Sequence, residues 1–232
     1  MSEESVWASN WFLTHGIDLR PEGLEPNSEA DMLRLKTFTR RMLNYQPADP
    51  AHAPTRAWAY RITKAQSRGL PDFFLIEEGM PCVSARARAV LERFDLGDSR
   101  FFDIELMVYE GTTMPGGPYF YFNMTSVKPG AVLFDRSPVK RMTSGRWQPA
   151  CYDTLSYENF WVNSSSFPGA DVWGDPELIR SVFFSDALAK AIRHEKLTGM
   201  KLFPCAFDAS AASRHLERLV NGSPRRHNRL AG

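Results

Sequence analysis

Apolar residues along the chain change spacing from one stretch to the next, and those changes mark its elements. Over residues 28–44, Leu35, Phe38 and Met42 recur at intervals of three and four, the period of a helix with one buried face. Ser28 stands where such a helix needs an N-cap, while Thr37 and Thr39 lower its intrinsic propensity. Residues 46–54 (QPADPAHAP) predict a loop. Beyond it the period falls to two over residues 57–62, setting Trp58, Tyr60 and Ile62 against Ala59 and Arg61 as in a half-buried strand.

Two later stretches share a plan of strand, Ser-capped helix, glycine stop and strand. In the first, Ser84 is the cap, Ala87, Val90, Leu91 and Phe94 form the apolar face, Gly97 is the stop, and a strand spans residues 101–109. In the second, Ser185 is the cap and Asp186 faces the positive end of the dipole. Leu188, Ala191 and Ile192 point inward, Lys196 lies in the last turn, and Gly199 is the stop before a strand over residues 200–203. Between the two, the aromatic run Tyr119, Phe120, Tyr121 and Phe122 suits a central strand covered on both faces. Residues 135–166 carry Pro, Gly and Ser with scattered Trp and Tyr, which predicts a hairpin or a long loop. The expected architecture is α+β, with a mixed or mainly antiparallel sheet and a few packed helices. It divides into an N-terminal segment, 1–55, packed on a main domain of residues 56–207, with a short helix and basic tail over 208–232.

Composition narrows the function classes. With 28 Lys and Arg against 27 Asp and Glu, the chain has no bulk field to gather nucleic acid or an anionic membrane, so neither is expected as a partner. No apolar run is long enough to span a bilayer, and the acidic start MSEESVWASN is unlike a secretory signal, so the expected location is cytoplasmic. Cys82, Cys151 and Cys205 are widely spaced, with no partner His at metal-ligand spacing; neither a disulfide scaffold nor a metal site is expected.

Catalytic motifs are equally sparse. The glycines of residues 111–118 lack the lysine and helix start of a phosphate loop and predict a turn. His194 and Glu195 are adjacent on one helix, so their side chains diverge by about 100° and cannot share a proton or a metal. Cys82 near a helix start could be an activated thiol or, more simply, a small buried hydrophobe. Asp171 and Asp175 flank Trp173 and suit Asx turns better than a cation site, which needs further oxygen ligands. No cofactor is implied.

The most specific pattern is the closing one: Pro168-Gly169-Ala170-Asp171 with Trp173, then Phe184-Ser185-Asp186, then Leu197-Thr198-Gly199 before Pro204. With Pro71-Asp72-Phe73 ahead of Ser84, it resembles the immunity-protein family eleven of bacterial polymorphic toxin systems over about residues 56–205. The resemblance implies an antitoxin that neutralises a cognate toxin domain, delivered by contact-dependent or type VI secretion, through stoichiometric binding. It supplies no catalytic residues. The expected binding surface is the irregular region 136–161, with Trp147, Tyr152, Tyr157 and Trp161 as anchors if they are exposed rather than in the core. The competing reading is a small-ligand enzyme whose site joins residues distant in sequence, such as Cys82 and His194.

Overall fold

The computed structural model describes residues 5–13, 19–21, 29–59, 69–76, 79–108, 112–150, 157–163 and 166–208. In chain order, the first half holds β1 (Val6–Ser9), β2 (Leu19–Pro21), α1 (Glu29–Leu43), β3 (Arg56–Ala59), β4 (Phe73–Ile76), β5 (Met80–Ser84) and α2 (Ala85–Leu91). Next come β6 (Arg100–Val108), β7 (Tyr119–Asn123), β8 (Val139–Arg141), β9 (Trp147–Pro149) and β10 (Trp161–Asn163). The chain continues through β11 (Val172–Trp173), β12 (Val182–Ser185), α3 (Asp186–His194), β13 (Leu202–Pro204) and β14 (Ala206–Asp208). A six-stranded sheet runs β2-β3-β6-β7-β5-β4 and a four-stranded sheet runs β11-β12-β1-β13; β8–β9 and β10–β14 form separate pairs. Pairing is antiparallel except for β3–β6 and β10–β14, so the fold is α+β with mainly antiparallel sheets.

The two Ser-capped stretches build matching halves. The order β4-β5-β7-β6 repeats as β11-β12-β1-β13. In each, a hairpin leads through a capped helix to a strand set one place away, and the intervening strand is antiparallel to both its neighbours. β7 fills that place from later in the chain, β1 from its start. Ser84 Oγ accepts from Ala87 N and Ser185 Oγ from Leu188 N, both at 3.2 Å, as N-caps do. Each serine hydroxyl also donates to an aspartate just ahead of its hairpin, Ser84 to Asp72 at 2.7 Å and Ser185 to Asp171.

The same aspartates tie the halves together crosswise. Asp72 accepts from Thr198 N at 2.9 Å, beyond α3, and Asp171 accepts from Asp95 N at 2.9 Å, beyond α2. A carboxylate accepting backbone N–H bonds is a charge-assisted contact, stronger than a neutral one. These bonds correct the Asx-turn reading of Asp171, whose side-chain partners are long-range. Asp175 does make the local turn, accepting from Glu177 N at 3.0 Å, and is buried.

Gly97 and Gly199 do not stop their helices, contrary to expectation. α2 closes at Glu92 through tight turns, Arg93 N donating to Val90 O and Phe94 N to Leu91 O. α3 closes in a Schellman arrangement with Lys196, at φ 52°, in the left-handed position that glycine usually takes. There Lys196 N donates to Arg193 O and Leu197 N to Ile192 O, both at 3.1 Å. Inward-facing residues of α3 are Leu188, Ala189 and Ile192, with Ala191 half-buried. On β3 it is Ala57 that is buried, and Trp58 is half-buried; Tyr60 and Ile62 lie outside the described residues.

Among the described residues, three apolar clusters form the core. Leu35, Phe38 and Met42 of α1 cover one face of the larger sheet over Cys82, Ile104, Leu106 and Tyr121. The opposite face, through Val83, Phe120 and Phe122, meets α2 and α3 and, beyond them, Phe184 of the smaller sheet. Val6, Ala8, Trp173 and Phe183 then pack on Tyr157, Phe160 and Val162. The aromatic run of β7 is buried throughout, as a strand covered on both faces requires.

Tyr45, just beyond α1, is buried and joins this helix to the smaller sheet: its hydroxyl donates to Ser181 O at 2.8 Å and accepts from Ser181 N at 3.2 Å. Burial pushes the phenol up from 10.0 to about 12, with the Ser181 bonds opposing the rise. The unfolded chain therefore releases this proton first, so the contribution is complete below the ordinary value and is lost as pH rises through the folded one. The urea midpoint of the wild type is expected to fall, relative to that of Tyr45→Phe, between about pH 9 and about pH 12. Parallel curves for the two proteins would contradict this.

Candidate functional site

Cys82 is wholly buried in the α1-side cluster, and burial raises its thiol well above the ordinary value, the reverse of an activated nucleophile. His194 is exposed at the end of α3, which packs on the other face of the same sheet. The two residues are not brought together. Among the described residues no group of His, Cys, Asp and Glu could hold a metal ion.

An open cleft of about 420 Å³ lies at the start of α3, lined in part by Asp171, Ser185, Asp186 and Lys190. The polar groups of these four are already committed. Asp171 accepts from Ser185, and Asp186 accepts from Lys190 and from Trp7 Nε1 at 3.0 Å. Burial pushes the Asp186 carboxyl up, but these two bonds and the nearby cations outweigh it and hold the group below its usual range. Such mutual bonding holds a helix start in place and leaves no polar group of these four aimed at a ligand.

The irregular region presents a different kind of surface. β8 and β9 form a short hairpin, joined to the body where Trp147 N donates to Glu177 O at 2.7 Å. Trp147 is half-buried and stacks on Phe134 with ring centroids 5.1 Å apart, while Arg141, opposite it in the hairpin, lies over its ring. On β10, Trp161 is also half-buried, under the Arg136 guanidinium 3.5 Å from the ring centroid. Pinning by an aromatic or a guanidinium reduces the entropy each ring would lose on being covered by a partner.

The other two expected anchors have different outcomes. Tyr157 is wholly buried against Phe160 and Phe183, and its hydroxyl donates to Arg180 O at 2.8 Å. It is a core residue, so its candidacy as an exposed anchor is corrected: the apolar alternation of the smaller sheet needed a covering ring there. Tyr152 lies outside the described residues. Missed by sequence reasoning were the cations that accompany the tryptophans. Arg141 carried a visible signal, lying six residues before Trp147 across a Gly-containing turn, whereas Arg136, 25 residues before Trp161, carried none.

The surface thus joins half-exposed aromatics to arginines, the composition of protein-binding hot spots. Comparison with known families bears on what it meets. The model of the immunity protein family Imm11 matches residues 36–206, which run from within α1 to the first residue of β14 and include every element between them. The chain belongs to the Imm11 family. No curated protein matches the sequence. As an Imm11 protein, the chain has its Ser84 and Ser185 caps, its Asp72 and Asp171 clasps and its irregular region all inside the matched span. β1 lies ahead of the span, yet it is the strand between β12 and β13. No helix of the described residues is long and apolar enough to cross a membrane.

Proposed function

We propose that this Imm11 protein is an antitoxin that binds one cognate toxin domain in the cytoplasm of the toxin-producing cell and blocks it by occupying its surface. The observation that carries this reading is the family match over residues 36–206. It is supported by the Arg and Trp surface of the hairpin region, and by the placing of Cys82 on one face of the larger sheet and of α3, which ends at His194, on the other. Inhibition then needs no turnover. A toxin held by a stable interface loses access to its substrate for as long as the complex lasts.

Trp147 and Trp161 are the proposed anchors, with Tyr152 beside them in sequence. The proposed partner is a toxin domain encoded beside this chain, and cells expressing that domain are expected to grow only when they also express this chain. Trp147→Ala or Trp161→Ala should weaken binding by about 2 kcal/mol at one or both positions, with melting temperature little changed. Rescue of growth by a chain that shows no physical association with the toxin would count against the proposal.

A further inference from the structure

A cationic face runs from α1 onto the β8–β9 hairpin. Along α1, Leu33, Arg40 and Asn44 are seven and four residues apart and so share one line of the helix, flanked by Lys36 and Arg41 and opposite the buried Leu35, Phe38 and Met42. Asn44 follows the helix and accepts from Arg146 Nη1 at 2.9 Å, which sets the hairpin against the end of α1. Lys140, on the same side of the β8–β9 hairpin as Arg146, extends the face along β8 and is exposed, while Arg141 beside it projects to the other side with Trp147.

None of Lys36, Arg40, Arg41, Lys140, Arg141 and Arg146 forms an ion pair among the described residues. By contrast Arg56 pairs with Glu105 at 2.9 Å, Arg88 with Glu92 at 2.7 Å, and Lys190 with Asp186. Since the whole chain carries only +1, this is charge separated onto one face rather than a general excess. Asp31, on the same helix but turned away from this line, pairs with Arg34, and at the foot of the hairpin the Glu177 carbonyl accepts from Trp147 N. Leu33, 66% exposed, adds an apolar contact on the line of Arg40.

Resting on the antitoxin reading, we infer that the toxin domain docks on this face and presents an acidic surface to it. Unpaired cations on two elements fixed to each other attract such a surface during approach and set its register on contact. Leu33 would supply apolar burial within the charged field. The contact would then fall on a carboxylate-rich part of the toxin, not on a phosphate-binding cleft, which would repel it. Nucleic acid fits less well: one side of the Trp147 ring is taken by Phe134 and Trp161 lies under Arg136, so free faces for base stacking are few.

The test is binding of the full chain to the toxin domain encoded beside it, with Lys36→Glu, Arg40→Glu and Lys140→Glu combined. No hydrogen bond or ion pair of these side chains holds the described fold, so the variant should melt like the wild type. Single variants at Arg40 and Lys140 repeat the measurement on each element separately. Affinity is expected to fall about 100-fold or more in the triple variant, mainly through slower association, and the wild type should weaken with added salt far more steeply than the variant. Asp98→Lys, exposed beyond α2, should change affinity by no more than about threefold. Wild-type affinity in the triple variant would overturn the inference and leave the antitoxin reading standing. No binding by the wild type would overturn the antitoxin reading itself. Binding of a short duplex DNA at physiological salt, lost in the triple variant, would also overturn the inference, assigning the face to phosphates instead.

Discussion

A Gly199→Ala protein is expected to lose about 3 kcal/mol of stability or more, a large share of the 5–15 kcal/mol typical of a domain. Gly199 has φ 102°, where a side chain is strained, and a Cβ there would fall 1.8 Å from Phe73 O and 2.8 Å from Phe73 C. Both are backbone atoms of β4, so no rotamer change can make room. Phe73 N already donates to Thr198 O at 2.9 Å, and Asp72 holds Thr198 N, so the two segments are clasped at the point of contact. Gly130→Ala is the control. Gly130 is also left-handed, at φ 70°, but a Cβ there would meet nothing within 4 Å. It should cost only about 1 kcal/mol, from backbone conformation alone. Equal urea midpoints for the two variants would contradict the close approach.

Trp11→Ala should cost about 3–5 kcal/mol, as truncation of a fully buried aromatic does. Trp11 has no exposed surface and sits among Phe12, Phe73 and Phe122, with centroids 4.9 to 6.0 Å away. Its Nε1 donates to Phe74 O at 3.1 Å, so truncation also strips a partner from a buried carbonyl. Trp11→Phe keeps most of the packing and should cost distinctly less. Because Trp11 lies two residues beyond β1, these variants also measure how firmly the residues ahead of the family match belong to the core. A loss below about 1 kcal/mol for Trp11→Ala would show that they do not.

Local signals proved legible where local chemistry decides. Ser84 and Ser185 cap their helices because a side-chain oxygen and an N–H three residues on need nothing else. Leu35, Phe38 and Met42 turn one face of α1 to the core because spacing sets direction. Reading failed where a distant segment decides. Gly199 looked like a helix stop, but its lack of a side chain answers to β4, some 126 residues earlier as Asp72 and Thr198 count it. Lys196 takes the left-handed position with no residue-type signal. The two halves share a plan visible in sequence, yet their closure by β1 and β7 and the crosswise grip of Asp72 and Asp171 are tertiary. The candidate surface was legible as aromatics in an irregular region. Its cationic partner on α1 was not, because Asn44 and Arg146 meet only in the fold.

Titrating the activity of the neighbouring toxin domain with purified chain addresses most directly whether this Imm11 protein acts by binding. Inhibition is expected to rise linearly and to end at one chain per toxin, with a complex of that composition in solution and the toxin recovered chemically unaltered. Complete inhibition at a small fraction of one equivalent, with the toxin left covalently modified, would contradict it.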